Sequence, residues 1–362
     1  MVGTLYQVMG MQAKLAKKNA FMEKLRLPSD AGFTLRAEPL SGTLSMKRSF
    51  MKKFYIGLIL VLGTTLLGSS IAGALEDTLV IGRVSDNPEK TYKELKPIAD
   101  YMVSHLHDLG ITKSSVIIAK NAKEMIKLLK EGKIDWVQKG VFQAILYEQQ
   151  AGMEITLRSW REGVPDYYTV IFTRNDSGIN SLNSLKSKKI AFQDSGSTSS
   201  FFTPAAALRK AGLDLVELSS PKEKTPTNKV GYAFAGDEIS ISTWVHRGLT
   251  DAGAYHNQDW DDPTHNPAAM KKDLKIIYRS EKLPRMIELF RKDLDPAVKE
   301  RIKETLLKAH EDPQAKDALL HYGPRTAKFD EFKGSARAEL ETGIELFKFI
   351  GHDVTSHQHK GA

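Results

Sequence analysis

Ala191-Phe192-Gln193-Asp194-Ser195-Gly196-Ser197-Thr198-Ser199-Ser200-Phe201-Phe202-Thr203-Pro204 is the stretch whose reading decides the fold. Lys189 to Phe192 reads as an apolar strand and the small hydroxyl-rich run after it as a turn. The spacing of Ala207, Leu208 and Ala211 before Gly212 predicts a helix. The first N–H groups of a helix have no intrahelical acceptor and carry partial positive charge, so a unit of this kind suits an anion. Gly196 lets the backbone come close, and Ser197, Thr198 and Ser199 add hydroxyl donors. Serines that merely cap a helix are the other reading, and the segment alone leaves both open. Pro204 removes a ladder bond beyond the first turn, so the helix must kink there or begin later.

Outward from this stretch, 362 residues are too many for one ordinary core and predict two domains plus extras. With 41% hydrophobic and 27% charged residues the composition is that of a folded chain. The net charge of +8 belongs to the leader. The first 74 residues hold 10 of the 52 basic and 3 of the 44 acidic residues, leaving 42 against 41. Nucleic acid is therefore not an expected partner of the body.

Residues 46–74 read as a secretory signal. Met46 to Lys53 is its positive region, Phe54 to Leu67 its apolar core and Ala72-Gly73-Ala74 its cleavage site. Residues 1–45 then precede a natural start and are expected to be an overcalled extension, with Met46 or Met51 the initiator. The absence of cysteine excludes a lipid anchor at the cleavage site. The expectation is a soluble exported protein, released into the periplasm by cleavage after Ala74.

Along the mature chain, strands at 79–82, 115–119 and 134–137 alternate with helices. One is placed from Pro97 to Gly110, one begins at Asn121 with capping-box spacing to Glu124, and one covers 141–150. Alternation of this kind implies an α/β fold with mostly parallel sheets flanked by helices. Ligands then sit beyond the carboxyl ends of strands, where Ser85, Asn87, Asn121, Gln138 and Lys139 fall. Tyr167 to Thr173 and Pro284 to Phe290 read as two strands crossing between lobes. The expected division is 75–172 and 285–350 in the first lobe, 173–284 in the second, and 351–362 as a polar tail. Two crossing strands would make a hinged clamshell.

The chain from about Leu79 to Ile350 resembles the phosphate/phosphite/phosphonate-binding proteins of ABC importers, which have the type II periplasmic-binding-protein fold. The matching pieces are Pro97-Ile98-Ala99-Asp100-Tyr101, Ile134-Asp135-Trp136, Pro165-Asp166-Tyr167-Tyr168, Asp194-x-Gly196-Ser197-Thr198-Ser199 and Asp251-Ala252-Gly253-Ala254. The resemblance implies that Ser197, Thr198 and Ser199 hold the phosphoryl or phosphonyl oxygens and that Tyr167 reaches the same anion. Tyr167 read by itself is a strand aromatic packed on a neighbour. Asn121, Gln138 and Asp237 are the second group of candidates. Asn121 stands where the family has a tyrosine, and Gly236-Asp237-Glu238 where it has Gly-His-Glu. A carboxylate there would repel a dianion, so either Asp237 only caps the helix that follows, or the ligand carries an amine, or the ligand is not a phosphonate, the cap being the favoured reading.

His352, His357 and His359 read as a solvated tail and not a metal site. Asp259, Asp261 and Asp262 lack calcium-loop spacing. No nucleophile elbow, phosphate loop or dinucleotide fingerprint occurs. The expectation is therefore a monomeric binder of a small oxyanion, without cofactor or metal, that docks on a membrane permease. A ligand domain signalling to a membrane-bound kinase, or an exported enzyme on the same fold, are the alternatives.

Overall fold

The computed structural model describes residues 77–323 and 325–357, with side chains through Ile350. The extension at 1–45, the signal at 46–74, the side chains of His352 and His357 and all of His359 lie outside the described residues.

The first half of one lobe runs β1 (Thr78–Val84), α1 (Pro88–Ser104), β2 (Lys113–Ala119), α2 (Ala122–Lys130), β3 (Trp136–Lys139), α3 (Val141–Ala151) and β4 (Met153–Arg161). A short strand β5 (Asp166–Tyr167) leads to β6 (Thr169–Arg174) and β7 (Lys189–Phe192) of the other lobe. There follow α4 (Thr203–Lys210), β8 (Asp214–Glu217), β9 (Lys229–Phe234), α5 (Glu238–His246), β10 (Ala252–His256), α6 (Asn257–Asp261), α7 (Ala268–Lys271) and β11 (Leu274–Arg279). The chain returns through β12 (Leu283–Pro284) to β13 (Met286–Arg291), α8 (Pro296–Lys308), α9 (Lys316–His321), β14 (Thr326–Asp330) and α10 (Ser335–His357).

The two sheets have the strand orders β14-β4-β13-β3-β1-β2 and β11-β6-β10-β7-β9-β8. Both are mixed rather than mostly parallel, and the reason lies in the crossings. Strands joined through helices pair in parallel, as in β1 with β2 and β7 with β9. The two crossing strands instead run straight into β6 and β13, which lie antiparallel to β10 and to β3 and β4. Between the lobes β5 and β12 form an antiparallel ribbon, Leu283 opposite Tyr167 and Pro284 opposite Asp166.

Several element boundaries differ from the sequence expectation. The first helix begins at Pro88, capped by Asn87, and Pro97 sits inside it. The carbonyl that Pro97 releases belongs to exposed Lys93, where water can serve it. The strand expected over 167–173 breaks at Tyr168, whose N–H donates to Asn257 Oδ1 at 3.1 Å. Strands β8, β9 and β14 were not expected from the pattern. The polar stretch after His256 forms the one-turn helix α6.

One apolar cluster runs beneath both lobes. Phe142 on α3 stacks on Phe202, with ring centroids 5.2 Å apart and planes 6° from parallel. α10 closes this side: a Cβ on Gly343 would stand 2.4 Å from Val141 Cγ1, and Arg209 Nη1 donates to the Ile350 carbonyl at 3.2 Å. The first lobe also buries a polar knot. Glu288 on β13 is fully buried and accepts from Trp136 Nε1 at 2.8 Å, Gln138 Nε2 at 2.9 Å and Tyr322 Oη at 2.7 Å.

Candidate functional site

The anchor stretch forms the strand and turn expected, and it deals with Pro204 in an unexpected way. Thr198–Phe202 winds as a π-turn, with Phe202 N–H donating to the Ser197 carbonyl at 3.0 Å, and α4 starts only after it. Pro204 thereby falls in the first turn of a regular helix, where no ladder bond is lost.

The four hydroxyls of the turn divide their work. Ser197 Oγ accepts from Ser200 N–H at 3.1 Å, so it caps the helix as the simpler reading allowed. Ser200 Oγ accepts from Gln193 N–H at 2.9 Å and donates to the Ala254 carbonyl, pinning the turn to β10. Thr198 is 6% exposed, and its buried Oγ1 forms no hydrogen bond of good geometry among the described residues, only a contact with the Tyr167 phenol. Such an orphan is costly unless a ligand completes it. The hydroxyls of Thr198 and Ser199 stand beside the Tyr167 phenol, whose pKa burial pushes up and Arg285 pulls back.

Thr198 also meets the first lobe. Gly140 is the N-cap of α3 and has no side chain to cap it. A Cβ there would stand 2.6 Å from Thr198 Oγ1. Two helix starts therefore face each other across a polar cleft of about 510 Å³.

The cleft holds three cations: Lys139 at the end of β3, one of the strand-end positions where the sequence places ligands, and two that the sequence does not point to, Arg161 at the end of β4 and Arg285 between β12 and β13. None has a carboxylate within ion-pairing distance among the described residues, and the Nε atoms of Arg161 and Arg285 are buried without partners. Arg285 is 5% exposed and lies over the Tyr167 ring, 4.8 Å from its centroid. Burial, and after it the nearby Arg161, pull its pKa below the usual range. Burial and then Arg83 push the Lys139 pKa down to about 8. Holding positive groups together without counter-charge is unfavourable and prepares the cleft for an anion.

The far wall is acidic and histidine-rich. Asp259 is buried, 2.9 Å from His265 Nδ1 and 3.0 Å from His256 Nε2. His256 Nδ1 accepts from Asp259 N–H at 3.3 Å, its Nε2 lies 3.4 Å from Arg285 Nη2, and burial pushes its pKa down. Burial and Asp259 push the Glu238 carboxyl up.

Of the residues expected at the site, Ser197, Thr198, Ser199 and Tyr167 are brought together in this cleft. Asn121 lies on an adjoining chamber, with Oδ1 accepting from Glu124 N–H at 3.0 Å. Gln138 is not at the cleft. Its side chain points to Ser159 and Glu288 in the polar knot, because alternate residues of a strand face opposite sides. Asp237 is likewise absent from the lining. It caps α5 by accepting from Ser240 N–H at 2.8 Å, and Glu238 takes the place on the wall. Asp237→Ala is accordingly expected to lower stability by about 1 kcal/mol and leave ligand affinity unchanged, as read by thermal melts and calorimetry.

Residues 81–335 match the family described as ABC transporter, phosphonate, periplasmic substrate-binding protein. The phosphonates-binding periplasmic protein of Escherichia coli is 25% identical over 280 residues, 72% of this chain and 74% of that one. XAC2383 from Xanthomonas citri, solved with ATP bound, is 34% identical, with a TM-score of 0.69 over 78% of this chain and 99% of that one. PhnD1 from Prochlorococcus marinus, solved with methylphosphonate, shares the fold at 17% identity, with a TM-score of 0.53 over 76% and 98%. A two-lobed fold with a polar cleft and a family match over most of the chain agree: the protein belongs to the phosphonate-binding periplasmic substrate-binding proteins of ABC transporters.

Proposed function

We propose that the cleft captures a tetrahedral oxyanion, a phosphonate, phosphite or phosphate, and delivers it to the membrane permease of an importer. Arg285 carries this reading: a buried guanidinium without a carboxylate partner, stacked on Tyr167 and facing the same space as the orphaned Thr198 hydroxyl. Backbone N–H groups at two helix starts and the hydroxyls of Thr198 and Ser199 would donate to the oxygens. Arg285, Arg161 and Lys139 would neutralise the charge. The Xanthomonas citri relative, solved with ATP and also with chloride, supports an anion-accepting cleft. The leader at 46–74 supports export.

A thermal-shift panel of phosphate, phosphite, methylphosphonate, aminoethylphosphonate, sulfate and arsenate tests the proposal. At a concentration near 100 times Kd, the preferred phosphorus oxyanion should stabilise the fold by about 2.7 kcal/mol and raise Tm by roughly 5 °C. Thr198→Val should weaken that ligand about 10-fold without lowering Tm in its absence, since a buried unpartnered hydroxyl is removed. No shift with any member of the panel would contradict the proposal.

A further inference from the structure

Resting on the oxyanion reading above, we propose that the ligand carries a polyhydroxyl substituent, which occupies a second chamber opening from the first past Gln143 and Gly196. This chamber has a volume of about 360 Å³ and shares Lys139, Gln143, Gln193, Gly196 and Ser197 with the anion cleft. Gly196 and Gln143 meet where the two chambers join, a Cβ on Gly196 standing 2.6 Å from Gln143 Nε2.

The chemistry of the lining selects the occupant. Asn121 spends Oδ1 on its helix cap, which leaves its NH₂ to donate. Asp194 Oδ1 accepts from Gly196 N–H at 2.7 Å, which leaves its other oxygen to accept. Amide donors and acceptors, the Ser195 hydroxyl and a carboxylate interleaved in this way match hydroxyl groups, each of which donates once and accepts twice. The Asp194 carboxylate disfavours a second anionic group in the chamber. Among the described residues no aromatic ring lines it to stack a flat base. A methyl substituent would leave nearly the whole chamber to water. Lys139, at the junction, is placed to meet the phosphoryl group on one side and the first hydroxyl on the other.

Calorimetry on the full chain with methylphosphonate, ethyl phosphate, glycerol 3-phosphate, ribose 5-phosphate and AMP tests this. Ribose 5-phosphate is expected to bind at least 10-fold tighter than ethyl phosphate. Ala122→Phe, which fills the second chamber from the start of α2, should erase that preference and leave methylphosphonate affinity intact. Ethyl phosphate or methylphosphonate binding as tightly as both polyol phosphates would overturn the second chamber's role and leave the oxyanion reading standing. So would a ribose preference that survives Ala122→Phe. A further 10-fold tightening from ribose 5-phosphate to AMP would overturn the polyol assignment in favour of a base. No binding of any of the five would overturn this inference, and with it the oxyanion reading only if inorganic phosphate and phosphite also fail to bind.

Discussion

Arg285→Met is expected to weaken oxyanion binding about 100-fold while leaving the unliganded protein at least as stable. On the proposed reading, the variant loses charge-assisted bonds from a guanidinium only 5% exposed, where water screens them little. At roughly 1.5 to 3 kcal/mol per bond, one or two such bonds account for about 3 kcal/mol. The stability side has the opposite sign from most core substitutions. Arg285 is buried with an unpartnered Nε and repels Arg161, so an apolar side chain of similar length removes a cost. The lost contact with the Tyr167 face partly offsets that gain. Calorimetry with methylphosphonate and melts without ligand read the two effects separately. A drop of several degrees in the unliganded Tm, with affinity unchanged, would make Arg285 structural.

Glu288→Leu should have the largest effect on stability, about 3 to 5 kcal/mol. Leucine fills the space but leaves Trp136 Nε1, Gln138 Nε2 and Tyr322 Oη facing an apolar group in the interior of the first lobe. Glu288→Gln keeps an acceptor and should cost about 1 kcal/mol. Urea unfolding compares them. Equal stabilities would show that the knot adjusts, for example by Gln138 turning to Ser159 alone.

The turn that holds Thr198 was legible because strand, hydroxyl run and apolar helix follow one another between Lys189 and Gly212 and obey local rules. Even its defect was legible, since Pro204 demanded an irregularity that the π-turn supplies. Three other features were hidden for physical reasons. Pro88 and Pro97 both offer a helix start, and only burial along the whole of α1 shows that the helix runs through the second. β14 carries a register shift between Thr326 and Phe329, which breaks the alternation that marks a strand. Glycine at 231 thins the pattern of β9, because the backbone there packs against Leu218 too closely for a Cβ. The cationic side of the cleft was hidden more deeply. Arg161 and Arg285 sit at the ends of strands far apart in sequence, and only the insertion of β13 between β3 and β4 brings them together. Gln138 departs from the expectation by one residue of strand phase, Lys139 beside it being the one that lines the cleft.

A crystal structure of the protein grown with methylphosphonate tests the central claim most directly. The account predicts one anion in the cleft, its oxygens within hydrogen-bond distance of Thr198 Oγ1 and the Arg285 guanidinium. A cleft holding only water while the anion sits elsewhere, or Thr198 and Arg285 turned away from a bound anion, would contradict it.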